Sequence, residues 1–182
     1  MKVAQKLNNT QANINGYKLV IESWILSVDE KGVKSVASYL GDHPDEFCLV
    51  VHMGLYSSAP WIRLETVATN ILAHDDLNPP KPIFVGGPDF LPTTLDLNML
   101  SIADMKDSLG VSKFWTRDAG EYFCNEIYYR TLYQTRIKGI RNNGKFLPVL
   151  FIHLPKEETV SIEQDLAAVS KVIQIIASQT IL

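Results

Sequence analysis

Phe146-Leu147-Pro148-Val149-Leu150-Phe151-Ile152-His153 is followed, after Leu154-Pro155 and a short charged stretch, by residues 161–178. The first segment is apolar almost throughout, the pattern of a strand over 146–153 covered on both faces. The second places Ile162, Leu166, Val169, Val172, Ile173 and Ile176 in helical phase. A buried strand feeding an amphipathic helix is the unit of a layered α/β fold. Upstream the unit repeats. Residues 121–137 read as a helix with Ile127, Tyr128 and Leu132 on one side, preceded by a short strand from Val111 to Thr116 and a helix over 97–109 that Gly110 ends. Arg141-Asn142-Asn143-Gly144 is a turn.

Further upstream, Phe47-Cys48-Leu49-Val50-Val51 anchors an apolar strand over 46–53. Before it lies a helix over 29–40 with Asp29 as cap, ended by Gly41-Asp42-His43-Pro44. Gly16-Tyr17 opens a strand-like run reaching Val28, and residues 1–8 are helical. Residues 61–72 alternate weakly, as a further strand. Residues 73–93, with five prolines and Gly86-Gly87, read as an excursion from the fold. The expected architecture is a three-layer αβα sandwich around a twisted, mostly parallel sheet, with residues 1–182 as one domain. In such sheets chemistry gathers at the carboxyl ends of the strands.

Composition agrees with a globular domain. The 182 residues are 46% hydrophobic and 20% charged, enough for a sizeable core without staples. The net charge of −3 and the absence of a Lys/Arg block give no support to a nucleic-acid partner. No apolar stretch has the length of a signal-peptide core or a membrane span, so no membrane partner and a cytoplasmic location are expected. Two cysteines, Cys48 and Cys124, cannot make a disulfide framework and read as free thiols.

Cys124 lies in Thr116-Arg117-Asp118-Ala119-Gly120-Glu121-Tyr122-Phe123-Cys124-Asn125, at the start of a helix. A helix N-terminus favours thiolate and offers free N–H groups to an oxyanion. The competing reading is a small buried core residue. His153 ends its strand and is placed to act as general base toward a thiol, or is a strand-end histidine bonded to backbone. Glu65, in Trp61-Ile62-Arg63-Leu64-Glu65-Thr66-Val67-Ala68, needs a partner. That partner is a catalytic imidazole or a neighbour such as Arg63, and spacing excludes neither. Tyr122 and Phe123 flank Cys124 and can wall a pocket. The other tyrosines of that helix, Tyr128, Tyr129 and Tyr133, read mainly as packing. His43 and His52 read as structural. His74-Asp75-Asp76 has no second cluster to complete a metal site, and Gly86-Gly87-Pro88-Asp89 lacks the spacing and lysine of a phosphate loop.

Three segments, taken together, resemble one family. They are His52-Met53-Gly54-Leu55 running to Leu64-Glu65-Thr66-Val67-Ala68-Thr69-Asn70, then Arg117-Asp118-Ala119-Gly120-Glu121-Tyr122-Phe123-Cys124-Asn125 with Tyr128-Tyr129, then Phe151-Ile152-His153-Leu154-Pro155. In order and spacing they resemble pyroglutamyl-peptidase I, a family of cysteine exopeptidases. The resemblance runs from about residue 1 to 178 and is most specific in Ala-Gly-x-Tyr-Phe-Cys-Asn. It implies a nucleophile at Cys124, a base at His153 and an orienting carboxylate at Glu65. It also implies lactam binding by backbone at Leu55, and a peptide with N-terminal pyroglutamate as substrate, with no metal or other cofactor. Family members begin with a strand and a Gly-Phe-x-Pro-Phe-Gly loop, whereas this sequence starts at the helix that follows them. Where many bacterial members carry an arginine ten residues beyond the glutamate, it has Asp75.

The leading expectation is therefore removal of N-terminal pyroglutamate by a Cys-His-Glu mechanism. The alternative is a catalytically impaired relative that binds peptides or a partner chain, a role the absent loop and an uncovered sheet edge would suit. A homo-oligomer is compatible with either.

Overall fold

In the computed structural model, which describes residues 2–72, 80–100 and 114–181, strand β10 (Val149–Leu154) runs through the middle of a four-stranded sheet. Its first five residues are all buried. On one side it pairs in parallel with β3 (Val50–Leu55). On the other it pairs antiparallel with β4 (Arg63–Glu65), and β7 (Trp115–Thr116) adds to β4 in parallel. Two of the three pairings are parallel, but β4 and β7 both run opposite to β3 and β10, so the sheet expected to be mostly parallel is a mixed one.

The alternation of β10 separates two cores. Leu150 and Ile152, with Leu64 of β4, pack under helices α1 (Lys2–Leu7) and α4 (Ile162–Thr180), against Val3, Leu7, Val169, Val172, Ile173 and Ile176. Val149 and Phe151 face α2 (Glu30–Asp42) and α3 (Phe123–Ile137), against Val33, Ile127, Tyr128 and Leu132. These are the three layers. The helix starts follow their caps: Asp29 accepts from the Gly32 N–H, and Ser161 with Gln164 closes a reciprocal capping box.

Several strands differ from the sequence expectation. The run from Tyr17 to Val28 is a strand only over β2 (Tyr17–Val20), which pairs with β1 (Gln11–Ile14) in a hairpin outside the central sheet. Asn15 (φ 53°) and Gly16 (φ 83°) form its two-residue turn, both in the left-handed region such hairpins need. The strand expected over 46–53 occupies 50–55 instead. Phe47 is drawn off to pack against Trp24 and Tyr39, and Cys48 stays a half-buried free thiol ahead of the strand. β3 is also only partly buried, with β10 its sole strand partner among the described residues.

The segment 61–72 breaks in two after Glu65. β4 stays in the sheet, while β5 (Val67–Thr69) turns out to pair with β6 (Phe90–Pro92). Thr66 between them donates its N–H to Thr116 O and accepts at its own carbonyl from Thr93 N. The strand expected over 146–153 likewise divides, at Leu147-Pro148. Lys145–Phe146 forms β9 of a small hairpin with β8 (Arg141–Asn142), turning at Asn143-Gly144 where a turn was expected. Of the helix expected over 97–109, Leu97–Met99 is a 3-10 turn that ends at an extended Leu100; residues 101–109, and residues 111–113 of the short strand, lie outside the described residues. No described helix is long and apolar enough to cross a membrane.

Candidate active site

Strand alternation decides which side chains share a face. In β4, Leu64 points to the α1/α4 core, so Arg63 and Glu65 point to the opposite side, toward α2 and α3. In β10, Phe151 and His153 share that side. Register then sets Glu65 opposite Phe151 and Arg63 opposite His153. In β3, Gly54 is the parallel partner of His153. Five residues from three strands thus meet beneath the N-terminus of α3, where Cys124 sits in the first turn.

Glu65 is completely buried and its carboxylate accepts three hydrogen bonds. Its Oε1 accepts from His153 Nδ1 at 2.8 Å and faces Arg63 Nε at 3.4 Å. Its Oε2 accepts from the Thr116 hydroxyl and from Asp118 N at 3.3 Å. Sequence reading left two partners open for this carboxylate; the structure pairs it with both. A carboxylate only accepts, so the proton of neutral His153 resides on Nδ1 and Nε2 keeps its lone pair. Tyr128, fully buried, donates its hydroxyl to Glu65 O at 2.9 Å and fixes the backbone of the same residue. His153 itself is 2% exposed, held between Phe151 (4.7 Å between ring centroids) and Tyr56 (5.4 Å).

Cys124 Sγ lies over Gly54. A methyl group on that glycine would approach the sulfur to 2.8 Å and the Phe151 ring to 3.0 Å. The thiol therefore occupies space that only glycine leaves, directly beside the residue that pairs with His153. This role escaped the sequence reading, because it depends on strand register and on how α3 docks. The thiol is also less acidic than a helix N-terminus alone suggests. Burial pushes it up and the charge of Glu65 adds to this, while its own backbone N–H pulls it back. Desolvation of the anion outweighs the backbone N–H.

The flanking residues take different places. Tyr122 is the N-cap, 61% exposed, and makes no side-chain cap; its ring meets Phe123 edge-on at 5.2 Å. Leu55 ends β3 and is 64% exposed. Asn125 points inward from the helix: it accepts from Thr69 N at 2.8 Å and donates to Thr69 O and Ile71 O. Asn70 holds the 84–87 loop by bonds with Phe84 N, Phe84 O and Gly87 O.

The residues set aside in sequence behave accordingly. His52 is buried, bonded to the Thr131 hydroxyl, and driven down to about 4 by burial. Tyr129 is fully buried and donates to Pro88 O. His43 caps α2. His74, Asp75 and Asp76 lie outside the described residues.

Comparison with known proteins follows this geometry. No protein-family model matches the chain. Over 181 residues it is 26% identical to a pyrrolidone-carboxylate peptidase of Bacillus cytotoxicus, covering 94% of this chain and 79% of that one. A Bacillus cereus protein of the same name is 24% identical over 143 residues, covering 75% of this chain and 65% of its own length. Among solved structures, a mutant pyrrolidone carboxyl peptidase of Pyrococcus furiosus superposes with a TM-score of 0.79 at 20% identity, over 98% of this chain and 90% of that one. The Thermus thermophilus enzyme gives 0.69 at 23% identity, over 97% and 89%. The chain is thus similar in sequence to pyrrolidone-carboxylate peptidases and shares the fold of pyrrolidone carboxyl peptidases.

Proposed function

We propose that this protein is a cysteine peptidase that removes N-terminal pyroglutamate from peptides, with Cys124, His153 and Glu65 as its working residues. The observation that carries the reading is the hydrogen bond from His153 Nδ1 to the buried Glu65 carboxylate, on the sheet face that receives Cys124. Because burial keeps the thiol protonated, the mechanism needs a base, and His153 Nε2 is the free lone pair. Cys124 Sγ loses its proton to His153 and attacks the carbonyl carbon of the pyroglutamyl amide, forming the S–C bond. The N-terminus of α3, the positive end of its dipole, stabilises the developing oxyanion. The C–N bond then breaks as His153 returns the proton to the leaving amine. Water, deprotonated by His153, releases pyroglutamate from the thioester. Glu65 stabilises the imidazolium throughout.

A pyroglutamyl group is an uncharged lactam. The exposed backbone end of β3 at Leu55 and the aromatic rings of Tyr122 and Phe123 supply the contacts such a group takes. The test is selectivity among aminocoumarin amides. Cleavage of the pyroglutamyl amide with none of the prolyl amide, which has a charged amine and no lactam carbonyl, supports the reading. Equal cleavage of both overturns it. A second reading, peptide binding without turnover, draws on the raised Cys124 thiol. It predicts slow alkylation by iodoacetamide at neutral pH, and a rate well above that of a model thiol removes it.

A further inference from the structure

Arg63 Nε is the buried side-chain nitrogen that lacks a hydrogen-bond partner among the described residues. It is not idle. It stands 3.4 Å from Glu65 Oε1, the same oxygen that accepts from His153. Its guanidinium lies 4.3 Å from the centre of the Tyr56 ring, and Tyr56 in turn packs on His153. Its Nη2 donates to Asp118 O at 3.1 Å, in the turn that leads to α3. Register puts it directly across from His153 on the neighbouring strand. A permanent cation, with its side chain 15% exposed, thus shares one carboxylate oxygen with the imidazole.

We infer that Arg63 is a positioning residue that sets the pH range of the site, by partly neutralising Glu65 and so weakening its hold on a protonated His153. The inference rests on the reading of Cys124 and His153 as the working pair. A structural role would cost stability alone. Charge sharing does something different, because a cation lowers the proton affinity of every group near it. The titratable and charged groups concerned are Glu65 on β4, His153 on β10, Cys124 on α3, Tyr56 beyond β3, and Tyr128 of α3 behind the carboxylate. Removing the cation leaves Glu65 with its full charge toward His153 and Cys124, and both then hold their protons to higher pH. For unit charges at cross-strand separation in a partly screened interior, the expected move is about one pH unit upward.

The test compares wild type, Arg63→Gln and Arg63→Lys in the full chain by two readouts. One is the pH dependence of iodoacetamide alkylation at Cys124, followed by mass spectrometry of its peptide and so independent of turnover. The other is the pH dependence of kcat/KM on the pyroglutamyl amide. Arg63→Gln should move the alkylation midpoint and the acid limb of kcat/KM upward together by about one unit, and Arg63→Lys should restore both. Arg63→Met, which keeps an apolar stem over Tyr56, replaces the glutamine variant if that one does not fold. A charge-removing variant whose profiles superimpose on wild type overturns the inference, as does a lysine variant that shifts as far as the glutamine one. A wild type that never cleaves the amide defeats the peptidase reading, while the alkylation profiles still decide the role of Arg63.

Discussion

At the residue scale, the site is organised by what is missing at Gly54 as much as by what is present at Cys124. The sulfur sits where a methyl group on Gly54 would approach it to 2.8 Å, so only the missing Cβ leaves it room. Gly54→Ala should therefore push the thiol out of line and lower kcat by about 100-fold, with a stability loss of about 1–3 kcal/mol from overpacking against Phe151. Steady-state kinetics and denaturant unfolding check the two effects separately. Unchanged kcat would show that Cys124 does not act from this position. The contrast with Glu65 is instructive. Its need for a partner was legible in sequence, because a carboxylate among Leu64, Val67 and Ala68 cannot stay unpaired. The identity of the partner was not, because a two-residue offset in register decides between His153 and its neighbours.

At the element scale, α3 carries the nucleophile and is tied to the sheet by polar bonds as well as packing. Asn125, one residue beyond Cys124, closes three bonds onto β5 and Ile71. Asn125→Ala would leave the Thr69 N–H and two carbonyls unpaired and should destabilise the fold by about 1–3 kcal/mol, with faster amide exchange at Thr69 than elsewhere in the hairpin. An unchanged exchange rate at Thr69 would contradict this role. The three long helices α2, α3 and α4 were legible to within two residues at each end, since caps and 3.6-residue spacing are local signals. The strands were less so. Phe47, Cys48 and Leu49 are as apolar as β3 itself, yet an aromatic cluster with Trp24 and Tyr39 takes the first of them. Nothing local marks where pairing begins. Asn15-Gly16 did signal a tight hairpin; weighing it would have placed β1 opposite β2.

At the scale of the whole molecule, two buried groups outside the site act on stability in opposite directions. Burial drives His52 down to about 4, below its ordinary 6.5, so the native state resists protonation that the unfolded chain accepts. Its contribution is present above about 6.5 and is lost as the pH falls toward 4. Burial pushes Asp165 up to about 6 from 3.8, so the native state holds a proton the unfolded chain has released. Its contribution is present below 3.8 and is lost as the pH rises through 6. Over the same interval the two largely cancel, and the wild-type stability curve should be flat between about pH 4 and 6 with respect to them. Asp165→Asn should expose the difference. It should be about 1–3 kcal/mol more stable than wild type at pH 7.5, with the gain vanishing near pH 4, as read from urea midpoints across that range. A constant difference at all pH values would show that Asp165 is not held protonated by burial.

The layered fold, the two cores and the sheet face that carries the site follow from one another. β10 alternates, so His153 must lie on the α3 side. β4 alternates, so Glu65 and Arg63 meet it there. The first turn of α3 then brings a thiol over Gly54. The most direct test of this account is hydrolysis of a pyroglutamyl-aminocoumarin amide by the 182-residue chain, with Cys124→Ala measured beside it. The account predicts turnover by the wild type and none by the variant; turnover that survives in Cys124→Ala would contradict it.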